Sequence, residues 1–140
     1  MARIEQRPLL RSEVPPADTV VVVRGGPDTV DKLRRHAERT ASAWQLDGES
    51  LFGVSVYCAL DEVGPASLDS ILAEMHSYRI VHLSTFGVVT EGGFELLATA
   101  ARPHFTVRLS RTDEDDLRRL LALFGEPREN AHSKPKRGGR

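Results

Sequence analysis

The chain has 140 residues, of which 40% are hydrophobic and 28% charged, and its formal net charge is −1. This composition predicts one folded domain whose core needs no disulfide or metal, and it excludes a disordered chain. The near-neutral charge also excludes a global positive field for nucleic acid. No apolar run has the length of a signal-peptide core or a membrane span, and the single cysteine, Cys58, is typical of a reducing compartment. We therefore expect a cytoplasmic protein.

Three segments are expected along the chain. Prolines and mixed charges without a period predict an extended lead-in over residues 1–17. A single α/β domain should follow over residues 18–125. The segment 126–140 has no apolar residue except Ala131 and ends in the basic stretch KPKRGGR. We expect it to be a flexible basic tail whose deletion costs little stability.

Strand and helix patterns alternate through the predicted domain. The valine run Val20–Val23 has no wet face, which predicts an interior strand with neighbours on both sides. The turn GGPD follows, and Asp28 suits the N-cap of a helix. A stripe of apolar residues at helical spacing comes next: Val30, Leu33, Ala37, Ala41 and Trp44. The segment LFGVSVYC then alternates between an apolar and a more polar face, which is typical of a second strand.

The second half of the domain predicts two more helices around three strands. A short helix over GPASLDSILAEM precedes the strand YRIVHLS and a helical turn in FGVVTEGG. FELLAT and HFTVRL predict a hairpin or two neighbouring strands, and TDEDDLRRLLALFG predicts a last helix with Thr112 as its N-cap. The order βαβαβ(α)ββα predicts an α+β or α/β fold, with helices packed on a mixed sheet of about five strands.

The end of the valine strand is a candidate anion site. The planar guanidinium of Arg24 could donate two hydrogen bonds to a phosphate. Gly25 and Gly26 let the backbone come close to a ligand, and the next helix begins with free N–H groups. No P-loop or dinucleotide fingerprint is complete here, and a tight turn explains the two glycines equally. Ser55 and Tyr57 share one face of the second strand and could reach a polar pocket.

The stretches around Arg24 and Ser55 resemble ADP-ribosyltransferase domains, in which an early strand ends in Arg-Gly and a later strand supplies a serine or threonine. The resemblance implies that Arg24 and Ser55 bind the substrate. The family's glutamate motif on a late strand has no counterpart in HFTVRL, which contains no acid.

A histidine, a hydrophobe and a hydroxyl residue occur twice, as His82-Leu83-Ser84 and His104-Phe105-Thr106. Alternation puts each histidine and its hydroxyl partner on one face of a strand, so two strands could present an acid and a base to one phosphate. The pattern resembles the paired motifs of the 2H phosphoesterases, which implies that all four polar residues are catalytic. That family carries one motif in each half of a duplicated domain, whereas these lie close together. The alternative is a histidine hydrogen-bonded within an ordinary sheet face.

No metal or cofactor is expected, because the histidines show no metal-binding spacing on a helix and Cys58 has no cysteine partner.

Two functions of different class remain. The first is a small intracellular, bacterial toxin-like enzyme acting on nucleotide or RNA phosphates, in which Arg24 or Arg108 holds the anion and His82 or His104 moves a proton. The second is a non-catalytic module that binds a protein partner as an adaptor, antitoxin-like protein or assembly factor. No membrane contact is expected. If both imidazoles and the Arg24 guanidinium line one pocket, the enzyme is favoured.

Overall fold

The computed structural model describes residues 10, 15, 20–26, 29–46, 49–109 and 114–133. Helices and strands alternate through these residues in an α+β arrangement. The strands are β1 (Val21–Arg24), β2 (Gln45–Leu46), β3 (Glu49–Ser50), β4 (Phe52–Cys58), β5 (Ile80–Thr85), β6 (Glu95–Ala98), β7 (His104–Leu109) and β8 (Glu126–Glu129). The helices are α1 (Val30–Ala43), α2 (Leu68–Glu74), α3 (Phe86–Glu91) and α4 (Glu114–Leu123).

Six strands form one sheet in the order β6-β7-β4-β1-β5-β8, in which all neighbouring strands are antiparallel. The predicted class and the general order of elements are confirmed. β4 and β5 both run antiparallel to β1, and therefore run parallel to each other with β1 between them. Helix α2 connects these two parallel strands and so forms a β-α-β crossover, although the directly paired strands are all antiparallel. The short strands β2 and β3 pair separately.

The valine strand is interior, as predicted. Val22 pairs with Cys58 on β4 and with Ser84 on β5, and Val22 and Val23 are both fully buried. Because successive residues of a strand point to opposite faces, the two valines enter two different cores. A run of β-branched apolar residues without a wet face is therefore what this position requires.

Each face of the sheet is covered by helices. The face of Val22, here called the α1 face, packs against α1, α3 and α4 around a large core. Its strand residues include Val54, Val56, Phe105 and Val107. The opposite face, here called the α2 face, holds Val23, Val81 and Leu83 against the α2 residues Ile71, Leu72 and Met75.

The start of α1 differs from the prediction by one residue. Thr29 is the N-cap, with extended backbone angles and a side-chain oxygen that accepts from the Lys32 amide at 3.3 Å. Either Asp28 or Thr29 has a side chain suited to this position, so sequence alone did not separate them. Asp28 and the predicted cap Thr112 both lie outside the described residues.

The C-terminal segment joins the sheet instead of leaving it at residue 126. β8 pairs with β5 from Leu83↔Glu126 to Ile80↔Glu129, and Asn130 beyond it is buried. The prediction of a flexible tail from residue 126, which follows from the near-absence of apolar residues in this segment, is wrong. β8 is held by backbone pairing at a sheet edge, which needs no apolar side chains. Residues 134–140 lie outside the described residues, as does the lead-in 1–17 except residues 10 and 15. No helix within the described part of the chain has the length and apolar character needed to cross a membrane.

Candidate functional site

The strand register places the two predicted catalytic histidines on opposite faces of the sheet. Arg24 pairs with His82, so His82 lies on the α1 face. The next residue inward, Val23, pairs with Tyr57, and Tyr57 pairs with His104, so His104 lies on the α2 face. The prediction that both imidazoles meet one phosphate is therefore wrong. Alternation fixes faces within a strand, but relating two strands requires their register.

The predicted anion site at the end of β1 is closed. Arg24 is 1% exposed, and its guanidinium carbon lies 5.6 Å from the centre of the Phe124 ring. A Cβ on Gly25 would lie 2.8 Å from Cε of Met75, and Gly26 has a φ of +86°. Close packing and a left-handed turn thus account for the glycines. In this structure Arg24 is a core residue that a dissolved phosphate does not reach.

The pair suggested by the ADP-ribosyltransferase resemblance is also divided by the sheet. Ser55 is two residues before Tyr57 and shares the α2 face, whereas Arg24 is on the α1 face. The Ser55 backbone amide donates to Nε2 of His36 on α1 at 3.3 Å. Burial lowers the pKa of His36, and the charges of Arg39 and Arg24 lower it further, which keeps this ring a neutral acceptor.

His104 lines a cavity of about 410 Å³ between the sheet and α2. We call it the His104 cavity; its walls are Tyr57, Pro65, Ile71, Glu74, Met75 and residues 100–104. The rings of Tyr57 and His104, which are opposite each other on β4 and β7, meet edge to face with centroids 5.3 Å apart. Ile71 and Met75 belong to the buried apolar cluster and make part of the wall non-polar.

The imidazole of His104 contacts the buried Thr99, which in turn contacts the buried Thr106. The Thr99 hydroxyl oxygen lies 2.9 Å from Nδ1 of His104 and 2.7 Å from the Thr106 hydroxyl oxygen. The Thr99 backbone oxygen lies 3.2 Å from the same Nδ1. A carbonyl oxygen only accepts hydrogen bonds, so we assign the hydrogen of the neutral ring to Nδ1. Nε2 then carries the lone pair and can act as a base.

Arg102 lines the His104 cavity, and its charge is neutralised by Asp61. Arg102 donates to both carboxylate oxygens of Asp61, at 2.7 and 3.2 Å. These hydrogen bonds lower the pKa of Asp61, so its carboxyl group stays ionised opposite the guanidinium. Glu74 is exposed and, among the described residues, has no hydrogen-bond or ion-pair partner.

The remaining predicted residues lie apart from this cavity. Ser84 is opposite Val22 on the α1 face, and its hydroxyl oxygen is buried. Arg108 shares the face of His104, but its guanidinium lies 3.5 Å from Glu95 in a separate pocket that Arg119 also lines. Of the predicted catalytic residues, the structure therefore brings together His104 and Thr106. Of the predicted binding residues, Tyr57 lies beside His104, and Ser55 pairs with Thr106 and lines a smaller cavity with His104 and Thr106.

Three residues of this arrangement were missed from the sequence: Thr99, Glu74 and Arg102. Thr99 stands in the stretch ATAARP, and the hairpin brings it back onto the next strand; spacing alone gives no sign of this contact. Within the described residues, no three His, Cys, Asp or Glu side chains form a group that could hold a metal. Comparison with protein-family models, with curated proteins and with solved structures finds no match to this chain.

Proposed function

We propose that the protein is a small enzyme that binds its substrate in the His104 cavity, where Nε2 of His104 takes up a proton. The observation that carries this proposal is the contact of Nδ1 with the Thr99 backbone oxygen and hydroxyl at 3.2 and 2.9 Å. A base must be oriented and must have the correct tautomer, and these contacts favour both.

The cavity itself supports a ligand of small-molecule size. Its volume of about 410 Å³ falls in the range of about 300–1,000 Å³ common for such sites. It also has the expected character, because apolar walls surround a few polar groups that could orient a ligand. One histidine with a positioned ring nitrogen replaces the histidine pair predicted from the sequence.

A nucleotide or RNA phosphate remains the second candidate substrate, as in a toxin-like enzyme. Arg102 is the observation in its favour, because a guanidinium that lines the cavity could contact a phosphate oxygen. Its bidentate pairing with Asp61 works against this, since the anion would compete with a carboxylate already in place. A non-catalytic module is the outcome expected if His104 proves to be structural.

The test combines a binding and a tautomer measurement. The full chain, labelled with ¹⁵N and ¹³C, is screened by NMR against a library of small fragments, with the ring signals of His104 and His82 followed separately. We expect bound fragments to move the His104 signals, and the ring ¹⁵N shifts to show hydrogen on Nδ1 of the neutral ring. If no fragment shifts the ring signals of His104, or if the ¹⁵N shifts place the hydrogen on Nε2, the proposal is wrong.

Variants extend the same test to activity. Hydrolysis of bis(4-nitrophenyl) phosphate examines the second candidate directly. If phosphate is the substrate, His104→Ala should lower this rate by about 10²- to 10⁴-fold, as for a lost general acid or base, and His82→Ala should not. Equal loss in both variants would contradict a site built on His104 alone.

A further inference from the structure

We infer that the His104 cavity selects a ligand that carries a protonated amine beside an apolar or aromatic group. This inference rests on the proposed site and specifies the chemical class of its ligand. It follows from the charges on the cavity walls, from the hydrogen-bonding character of the polar groups and from the apolar part of the lining.

The charge of the described walls favours a cation. Arg102 and Asp61 form a bidentate ion pair and contribute no net charge. Glu74 supplies a carboxylate without a partner among the described residues. An ammonium group would be attracted to that carboxylate, whereas a phosphate would meet a like charge.

The polar groups also favour a ligand that donates hydrogen bonds. Nε2 of His104 accepts, because Nδ1 carries the hydrogen that faces Thr99. The Glu74 carboxylate only accepts. Two of the Arg102 donors are directed to Asp61. An ammonium group has three donors and no acceptor, and is therefore complementary to a lining in which acceptors predominate.

The rest of the lining suits a hydrocarbon or ring next to that amine. Pro65, Ile71 and Met75 provide apolar surface, and the Tyr57 ring adds an aromatic wall. An aromatic face attracts a cation that lies within about 6 Å of the ring centre. A carboxylate together with an aromatic ring is thus a combination that binds amines in preference to neutral or anionic molecules of equal size.

Three one-ring probes of similar size test the charge preference. Benzylamine, benzyl alcohol and phenyl phosphate are titrated separately into the full chain near neutral pH, and the His104 ring signals are followed by NMR. We expect benzylamine to bind about tenfold more tightly than benzyl alcohol. We expect phenyl phosphate to bind more weakly than either.

A matched pair of variants tests the role of Glu74. Glu74→Gln keeps the size of the side chain and removes its charge. It should lower the affinity for benzylamine by about tenfold and leave the affinity for benzyl alcohol unchanged. Glu91→Gln, at an exposed glutamate on α3 outside the cavity, is the control and should change neither affinity.

The outcomes separate this inference from the proposed function. Preferential binding of phenyl phosphate with movement of His104 would overturn the amine preference and leave the site in place. Benzylamine binding that is insensitive to Glu74→Gln would also overturn the inference. If none of the three probes moves His104, the inference is wrong, and the fragment screen alone then decides whether the cavity is a binding site.

Discussion

The side-chain amide nitrogen of Asn130 lies 3.0 Å from the backbone oxygen of Leu72 and donates a hydrogen bond to it. The same nitrogen donates to the Met75 oxygen at 3.1 Å. Helix α2 ends here, and the last carbonyl groups of a helix have no partner within the helix. Asn130 is 1% exposed, so water does not replace it. The residue after β8 therefore completes the helix that forms one wall of the His104 cavity.

Asn130→Ala should lower the free energy of unfolding by about 1–3 kcal/mol, because the Leu72 oxygen loses its donor at a buried site. The Met75 oxygen keeps the Tyr78 backbone amide, which donates to it at 2.9 Å. Urea denaturation followed by circular dichroism measures the change in stability. Glu129→Ala, at an exposed neighbouring position, is the control and should change stability by less than about 0.5 kcal/mol. Equal effects of the two variants would show that the cap contributes nothing.

Truncation should distinguish the two parts of the C-terminal segment. A chain that ends at Gly125 loses both β8 and Asn130 and should be strongly destabilised, or should fail to fold. A chain that ends at Ser133 keeps these contacts and is the matched control. The melting temperatures of the two truncated chains are compared with that of the full chain. If the chain that ends at Gly125 has the same melting temperature as the full chain, the role assigned to this segment is contradicted.

Arg24→Ala should lower the free energy of unfolding by about 2–5 kcal/mol, as for other large side chains removed from a core. The side chain is buried and lies over the Phe124 ring, so its removal leaves a cavity. Arg35→Ala, at an exposed position on α1, is the control. If Arg24→Ala stays stable and weakens binding of inorganic phosphate, the anion site predicted from the sequence would be restored.

His36 should make stability depend on pH. Burial, followed by the charges of Arg39 and Arg24, lowers its pKa in the folded chain below the unfolded value of 6.5. The unfolded chain therefore binds the proton first as the pH falls. The contribution of His36 is fully present above pH 6.5 and is lost as the pH falls through the folded pKa.

Urea unfolding at a series of pH values measures this effect. His36→Gln does not titrate and offers an oxygen that can accept from the Ser55 amide in place of Nε2. Its free energy of unfolding should fall less steeply below neutral pH than that of the unchanged chain. Parallel curves for the two proteins would show that His36 has the same pKa folded and unfolded.

Val22→Asp should prevent folding. Val22 is fully buried between β4 and β5, and a carboxylate there would have neither water nor a partner. Val63→Asp introduces the same charge at a residue that is 81% exposed and should be tolerated. Circular dichroism of the two purified variants gives the comparison, and a folded Val22→Asp protein would contradict the interior position of β1.

The interior strand could be predicted because Val20–Val23 has no polar side that could face solvent, whichever way the strand is paired. The edge strand β8 could not be predicted, because its sequence, EPRE, contains no apolar alternation and its pairing with β5 uses the backbone. Local chemistry therefore indicates the centre of this sheet more clearly than its edge.

The candidate site was predictable only in part, for a related reason. Alternation correctly places His104 and Thr106 on one face of β7. It gives no relation between His104 and His82, because β4 and β1 lie between their strands and set the register. Thr99, which joins His104 to Thr106, becomes their neighbour through the hairpin, a contact that spacing in the sequence does not reveal.

The central position of β1 also has a consequence for the order in which the chain folds. Val22 and Val23 emerge early in synthesis, but their partners on β4 are residues 57 and 58, and those on β5 are residues 83 and 84. Closing such long loops costs entropy before any pairing compensates for it, which slows folding. Until Thr85 has been synthesised, the valine strand cannot acquire both neighbours, and its unpaired apolar edges are open to other chains. Among the strands that the structure describes, the apolar β1 thus waits longest for both of its hydrogen-bonded neighbours.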